Sequence, residues 1–147
     1  MIVSARQVAF DLLNKVTNDD AYANLLMPAL LTKSGLDTRE SAFAQELGFS
    51  TIRWQLSYDS ILNRVSSRSV TEIDPALLNA LRLGCHQLLQ MRVPAHAAIS
   101  ETVELVRRNL GEKVVGFSNG VLRRVSEKNF DTWLDLLCEG KSEIDLF

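Results

Sequence analysis

The sequence predicts an all-α bundle of about seven helices, on three observations. Apolar residues recur at the i, i+3, i+4, i+7 spacing that gathers them on one face of a helix turning every 3.6 residues. No stretch alternates apolar and polar residues over the length of a strand, and the β-branched residues are scattered among good helix formers. Residues that start and stop helices, such as Ser4, Asp37, the pair Asp74-Pro75 and Gly111, stand at the ends of the periodic runs.

The elements follow in order. Ala5, Val8, Ala9, Leu12, Leu13 and Val16 share one face of a helix over about 5–17, with Ser4 placed as its N-cap. The run Tyr22 to Thr32 contains Pro28, which removes a donor and clashes with the preceding turn inside a helix. Asn24 as N-cap puts Pro28 in the first turn, where the missing N–H costs little. Asp37 with Glu40 three residues on resembles a capping box, and Phe43, Leu47, Trp54, Tyr58, Ile61 and Val65 hold helical phase to about Ser66, as one long helix or two with a bend. Asp74-Pro75 reads as N-cap and N1 proline before the stripe Leu77, Leu78, Leu81, Cys85, Leu88 and Leu89. Pro94 separates that helix from the next, where Ile99, Val103, Val106 and Leu110 share a face and Gly111 is the C-cap. Val114, Phe117, Val121 and Val125 mark a sixth helix, and Phe130, Trp133, Leu134 and Leu137 a short seventh.

At 147 residues the chain has room for one buried core. Its 46% hydrophobic and 23% charged residues are ordinary globular usage, which excludes disorder and fibrous classes. Leu25 to Leu31, among the longest apolar stretches, is far too short to span a membrane, and Met1 to Phe10 lacks the pattern of an export signal. Cys85 and Cys138, with two histidines in the chain and no C-x-x-C, argue against zinc and for a reducing compartment, the cytoplasm. The net charge of −2 hides an acidic end: Asp131, Asp135, Glu139, Glu143 and Asp145 face Lys141 alone, and residues 1–130 carry +2. That mild excess does not by itself indicate nucleic-acid binding.

No catalytic constellation emerges. Gly111 to Gly116 has the glycine spacing of a P-loop, but Phe117 stands where the phosphate-binding lysine belongs and no strand precedes it. Cys85 and His86 are adjacent, so a helix points them about 100° apart, and Cys85 lies on the apolar stripe as a core thiol. Glu101 and Glu104 stand one turn from Arg107 and Arg108 and read as salt-bridge partners rather than metal ligands. Asn119, between Phe117 and Val121, reads as a buried amide tying its helix to a loop carbonyl.

Several segments carry a resemblance. Val93-Pro-Ala-His-Ala-Ala-Ile-Ser-Glu-Thr-Val-Glu-Leu-Val-Arg107 and Gly116-Phe-Ser-Asn-Gly-Val-Leu-Arg-Arg124 closely resemble the end of the NusB-like domain, in the version at the N-terminus of RsmB/Sun-type ribosomal RNA (cytosine-5)-methyltransferases. Ala5-Arg-Gln-Val-Ala-Phe-Asp-Leu-Leu13, Ala21-Tyr-Ala-Asn-Leu-Leu-Met-Pro-Ala-Leu-Leu31 and Asp74 to Leu89 agree, so the likeness covers about 4–127. Free-standing NusB antitermination factors usually lack the Ala-Tyr-Ala-Asn and Pro-Ala-His-Ala words.

The resemblance implies two packed helical subdomains that contact ribosomal RNA. It also implies a catalytic half that follows, using S-adenosylmethionine and a cysteine. Each of the three prolines here is followed by alanine, so the Pro-Cys of that nucleophile is absent, as is a glycine-rich cofactor loop. The expectation is a non-catalytic RNA-binding domain over 1–129, with 130–147 a short helix and acidic linker toward a methyltransferase domain outside this chain. The alternatives are an antitermination factor binding RNA and a ribosomal protein, and a helical interaction module using Trp133, Leu134 and Leu137 as an exposed patch.

An RNA grip needs positive charge and hydrogen-bond donors. Arg6, beside a helix N-terminus that also favours phosphate, is the first candidate. Arg53 next to Trp54, and Arg123 and Arg124 with Lys128, would form a basic surface if the fold brings them together. His96, at the start of its helix, either caps it or stacks on a base.

Overall fold

A computed structural model describes residues 3–16 and 20–139, and the described residues form eight α-helices and no strand. Residue 17 of the expected first helix and residues 140–147 of the expected acidic linker lie outside them. Helix α1 (Ala5–Val16) starts on Ser4, whose hydroxyl accepts the Gln7 N–H at 3.1 Å. Helix α2 (Asp20–Ser34) starts earlier than the Asn24 cap allowed, and Pro28 sits in its interior. Pro28 and Asn24 are both exposed, so the Asn24 carbonyl that loses its N–H partner is left to water. The opposite side buries Ala23, Met27 and Ser34, and this packing carries the helix through the proline.

The long run after Asp37 is two helices. Asp37 accepts the Glu40 N–H at 2.8 Å and opens α3 (Thr38–Arg53); α4 (Gln55–Val65) follows at once. Trp54, with φ −100° and ψ 10°, is the break between them, and its ring meets Phe130 edge-on at 5.6 Å. The bend lets α3 pack on α1 while α4 turns toward the other half of the molecule.

Helix α5 (Pro75–Leu89) is capped by Asp74, which accepts the Leu77 N–H at 3.3 Å. It is buried continuously from Leu77 to Gln87, with α1, α3, α4, α6 and α7 around it, so its sequence is apolar on more faces than a surface helix would be. Helix α6 (Ala95–Leu110) ends at Gly111, whose φ of 94° suits glycine. A 3-10 turn leads into α7 (Val115–Val125), and α8 (Phe130–Glu139) closes the described chain. Gly84 of α5 admits a close approach: a Cβ there would stand 2.6 Å from Leu122 Cδ2 of α7.

Two apolar clusters result. The smaller joins Ala5, Val8, Leu12 and Val16 of α1 to Ala23, Met27 and Ala44. The larger takes the other side of α1, at Ala9, Phe10 and Leu13, and packs it with α4 to α7. Trp133 belongs to this larger core, 5% exposed, and its indole donates to the Val125 carbonyl at 2.9 Å. It therefore cannot belong to an exposed patch, and only Leu134 and Leu137 remain of that reading.

Candidate nucleic-acid interface

The core helix α5 carries polar side chains that fix the surrounding elements. Arg82 holds Asp59 of α4 through two bonds, Nε to Oδ1 and Nη2 to Oδ2, both 2.7 Å, and gives a third to Asn79 at 2.9 Å. Tyr58 O lies 2.6 Å from His86 Nδ1 and accepts from Gln90 at 2.8 Å. The donor in the Tyr58–His86 bond follows the imidazole tautomer, and His86 Nε2 is buried with no hydrogen-bond partner among the described residues. Burial pushes the Tyr58 hydroxyl and the Cys85 thiol up and the His86 imidazole down. Cys85 is a core thiol as its stripe predicted.

Arg6 is anchored to this frame. Its Nε donates to Gln87 Oε1 at 2.7 Å, and its guanidinium lies 5.1 Å over the Phe43 ring. Burial lowers its pKa, opposed by Glu101 and Glu40, yet it remains a cation at any ordinary pH. It lines a shallow pocket with Ser4, Glu101, Glu104, Leu105 and Arg108.

On the other flank of α6 lies a groove of about 650 Å³, between α6 and α7. His96, Ser100, Glu101, Glu104 and Arg107 line it from α6, and Asn119 and Arg123 from α7. The acid-base reading of α6 holds for Glu104 but not for Glu101: Glu104 binds Arg107 at 2.6 Å, Arg107 binds Glu112 at 2.7 Å and Arg108 stands 4.0 Å from Glu104, whereas Glu101, two turns before the arginines, forms no ion pair among the described residues. These bonds raise the Arg107 pKa, Glu112 contributing most. Arg123 forms no ion pair among the described residues and carries the groove's uncommitted positive charge.

Asn119 differs from its sequence reading. It is half-buried at the groove wall, and its amide makes no hydrogen bond among the described residues. Flanking apolar residues suggested burial, but only Val121 is buried and Phe117 is half-exposed. His96 is exposed beside Pro94, which itself holds the N-cap position with no side-chain cap bond.

The remaining candidates lie elsewhere. Arg124 turns to α4 and donates to the Val65 carbonyl at 2.8 Å, satisfying that helix end. Lys128 sits 5.0 Å over the Trp133 ring. Arg53 lines a separate groove of about 510 Å³ between α2 and α3, with Ala23, Asn24, Phe49 and Ile52. The fold thus unites His96 and Arg123, with Arg6 on the opposite flank of α6, and does not gather all the arginines into one patch.

Between Gly111 and Gly116 the backbone runs through the turn Glu112–Val114 straight into α7. Among the described residues, no helix is long and apolar enough to cross a membrane.

Comparison with known proteins places these features. The profile of the NusB family matches residues 3–127. A Mycobacterium tuberculosis protein, named as a candidate methyltransferase, is 45% identical over 130 residues, which are 88% of this chain and 28% of that protein. The ribosomal RNA small subunit methyltransferase B of Pseudomonas putida is 32% identical over 126 residues, 86% of this chain and 28% of the enzyme. The Escherichia coli O1:K1 protein of the same name is 29% identical over 119 residues, 81% and 27% respectively. The chain therefore spans about 28% of the length of the relatives it matches, and α8 lies beyond the family match.

Proposed function

The chain belongs to the NusB family, and from that premise we propose that it is the non-catalytic RNA-binding domain of a ribosomal RNA (cytosine-5)-methyltransferase. In this reading it holds and orients ribosomal RNA in the cytoplasm while a tethered domain binds S-adenosylmethionine and makes the new bond. The names and lengths of the relatives support the enzyme reading over a free-standing antitermination factor.

The observation that carries the proposal is the meeting of His96, Asn119 and Arg123 in one groove. Its volume is of the size that admits a nucleotide. Arg123 supplies charge for a phosphate, the Asn119 amide offers a donor and an acceptor to a base edge, and the His96 ring offers a face for stacking. Such a grip suits unpaired RNA, whose bases can turn outward.

With two or three phosphate contacts, log affinity falls by roughly 0.7 per contact for each tenfold rise in salt on single strands. Binding by the isolated chain is therefore weak and salt-sensitive, and tethering to a catalytic domain compensates by raising local concentration to about the millimolar range. Titration of fluorescent single-stranded fragments of small-subunit ribosomal RNA, at several salt concentrations, tests the reading. Salt-dependent saturation supports it. No binding at low salt overturns it.

A further inference from the structure

Helices α4 and α8 leave a groove of about 260 Å³ lined by Leu56, Ser57, Ser60, Leu134, Leu137 and Cys138. No charged side chain is among them. Leu56 is 77% exposed, slightly more than Leu25 at 74%. The α2–α3 groove, by contrast, has Arg53 and Asn24 in its wall.

Helix α8 lies outside the family match, yet it is firmly seated. Phe130 lies against Trp54 and 6.0 Å from Tyr58, and Trp133 is bonded to Val125. Phe130, Trp133 and Leu137 fall on the side of α8 toward the larger core, while Leu134 and Cys138 flank it toward Leu56. The helix thus adds one wall of an apolar groove beside α4.

We infer that the α4–α8 groove seats an apolar surface of the catalytic domain in the same polypeptide. This rests on the function proposed above. Two features select that occupant. The lining carries no charged side chain. The patch is a handful of side chains, far below the roughly 1,200 to 2,000 Å² that a stable complex of separate molecules buries, whereas a tethered domain needs much less.

Cys138, exposed in this wall while Cys85 is buried, reports on the groove. The experiment uses the full-length gene product and follows alkylation of Cys138 by iodoacetamide with peptide-resolved mass spectrometry, taking the urea-unfolded protein as reference. Docking protects Cys138 at least tenfold, independently of protein concentration and of added RNA, and Leu56→Glu removes most of the protection. Leu56→Ala, milder for folding, removes part of it. Alkylation at the unfolded rate overturns the inference, as does protection that needs high protein concentration, which indicates a second copy, or added RNA. Methyl transfer to ribosomal RNA, measured on the same wild-type sample, separates the two readings. A protein that methylates RNA but leaves Cys138 fully reactive sinks the docking alone, and a protected protein without RNA binding or methylation sinks the function.

Discussion

Arg6 and Gln87 are joined by a hydrogen bond of 2.7 Å that ties α1 to the central helix across 81 positions of sequence. The other end of the Gln87 amide donates to the Leu83 carbonyl at 3.1 Å and to Thr102 at 3.2 Å, so one buried side chain links α1, α5 and α6. A cation expected at the RNA surface is therefore also a structural tie.

Replacing Arg6 should affect two measurements at once. Arg6→Ala leaves the buried Gln87 carbonyl oxygen without its partner, a loss of about 1 to 3 kcal/mol, visible as a lower urea midpoint. Any fall in RNA affinity must be read after that loss. If Arg6→Ala unfolds at the wild-type midpoint, the tie contributes nothing.

Arg123 and Arg124, neighbours in sequence, should separate. Arg123→Glu is expected to weaken RNA binding and flatten its salt dependence by roughly one contact, or 0.7 in slope, with an unchanged Tm. Arg124→Glu removes the bond to the Val65 carbonyl and should lower Tm. Equal effects of both on RNA and none on Tm would contradict the division of roles.

The His86 imidazole predicts a pH dependence. Burial holds its pKa below the ordinary 6.5, so the unfolded chain takes up a proton that the folded chain refuses. The stability it contributes is complete above about pH 6.5 and declines as pH falls toward the folded value, by at most about 1.4 kcal/mol per pH unit. Denaturation between pH 7 and 5 should show this loss in the wild type and a flatter profile in His86→Gln.

Asp59 and Arg82 form a nearly buried pair with side chains 17% and 10% exposed. Asp59→Ala strands the guanidinium and should cost roughly 3 to 5 kcal/mol. The double variant Asp59→Ala with Arg82→Met should recover much of it, because the stranded charge is gone. Failure to recover would mean that the geometry of the pair, rather than its charge, is what α4 and α5 need.

Two glycines should respond with opposite signs. Gly84→Ala places a Cβ against both Leu122 methyls and Thr102, with Leu122 fully buried and unable to retreat, and should lose about 1 to 3 kcal/mol. Gly120→Ala meets nothing within 4 Å and should gain up to about 1 kcal/mol from helix propensity. Thermal melting of the two variants checks both.

Much of this architecture was legible because caps and periodicity act locally. Ser4, Asp37, Asp74-Pro75 and Gly111 all sit at helix ends as their chemistry requires. Pro28 misled because tertiary burial of Ala23 and Met27 outweighs a local proline penalty, and no nearby residue announces that burial. Trp54 left a choice between one helix and two, since the helical phase survives the bend. The candidate site was less legible. His96, Asn119 and Arg123 could each be noticed, but their meeting depends on how α6 and α7 pack, and the pinning of Arg124 depends on a carbonyl 59 positions away. Asn119 was misread because apolar neighbours in sequence point in other directions around a helix.

Helix α1 has no solvent-facing majority: it gives one side to each of the two apolar clusters. Neither half can come apart without stripping the other of a wall, so melting should be all-or-none despite the bipartite layout. Amide protons on both sides of α1 should then exchange only through the same global opening. In the RNA-binding role proposed above, a grip built on such a body would keep its shape under load rather than yield one half at a time.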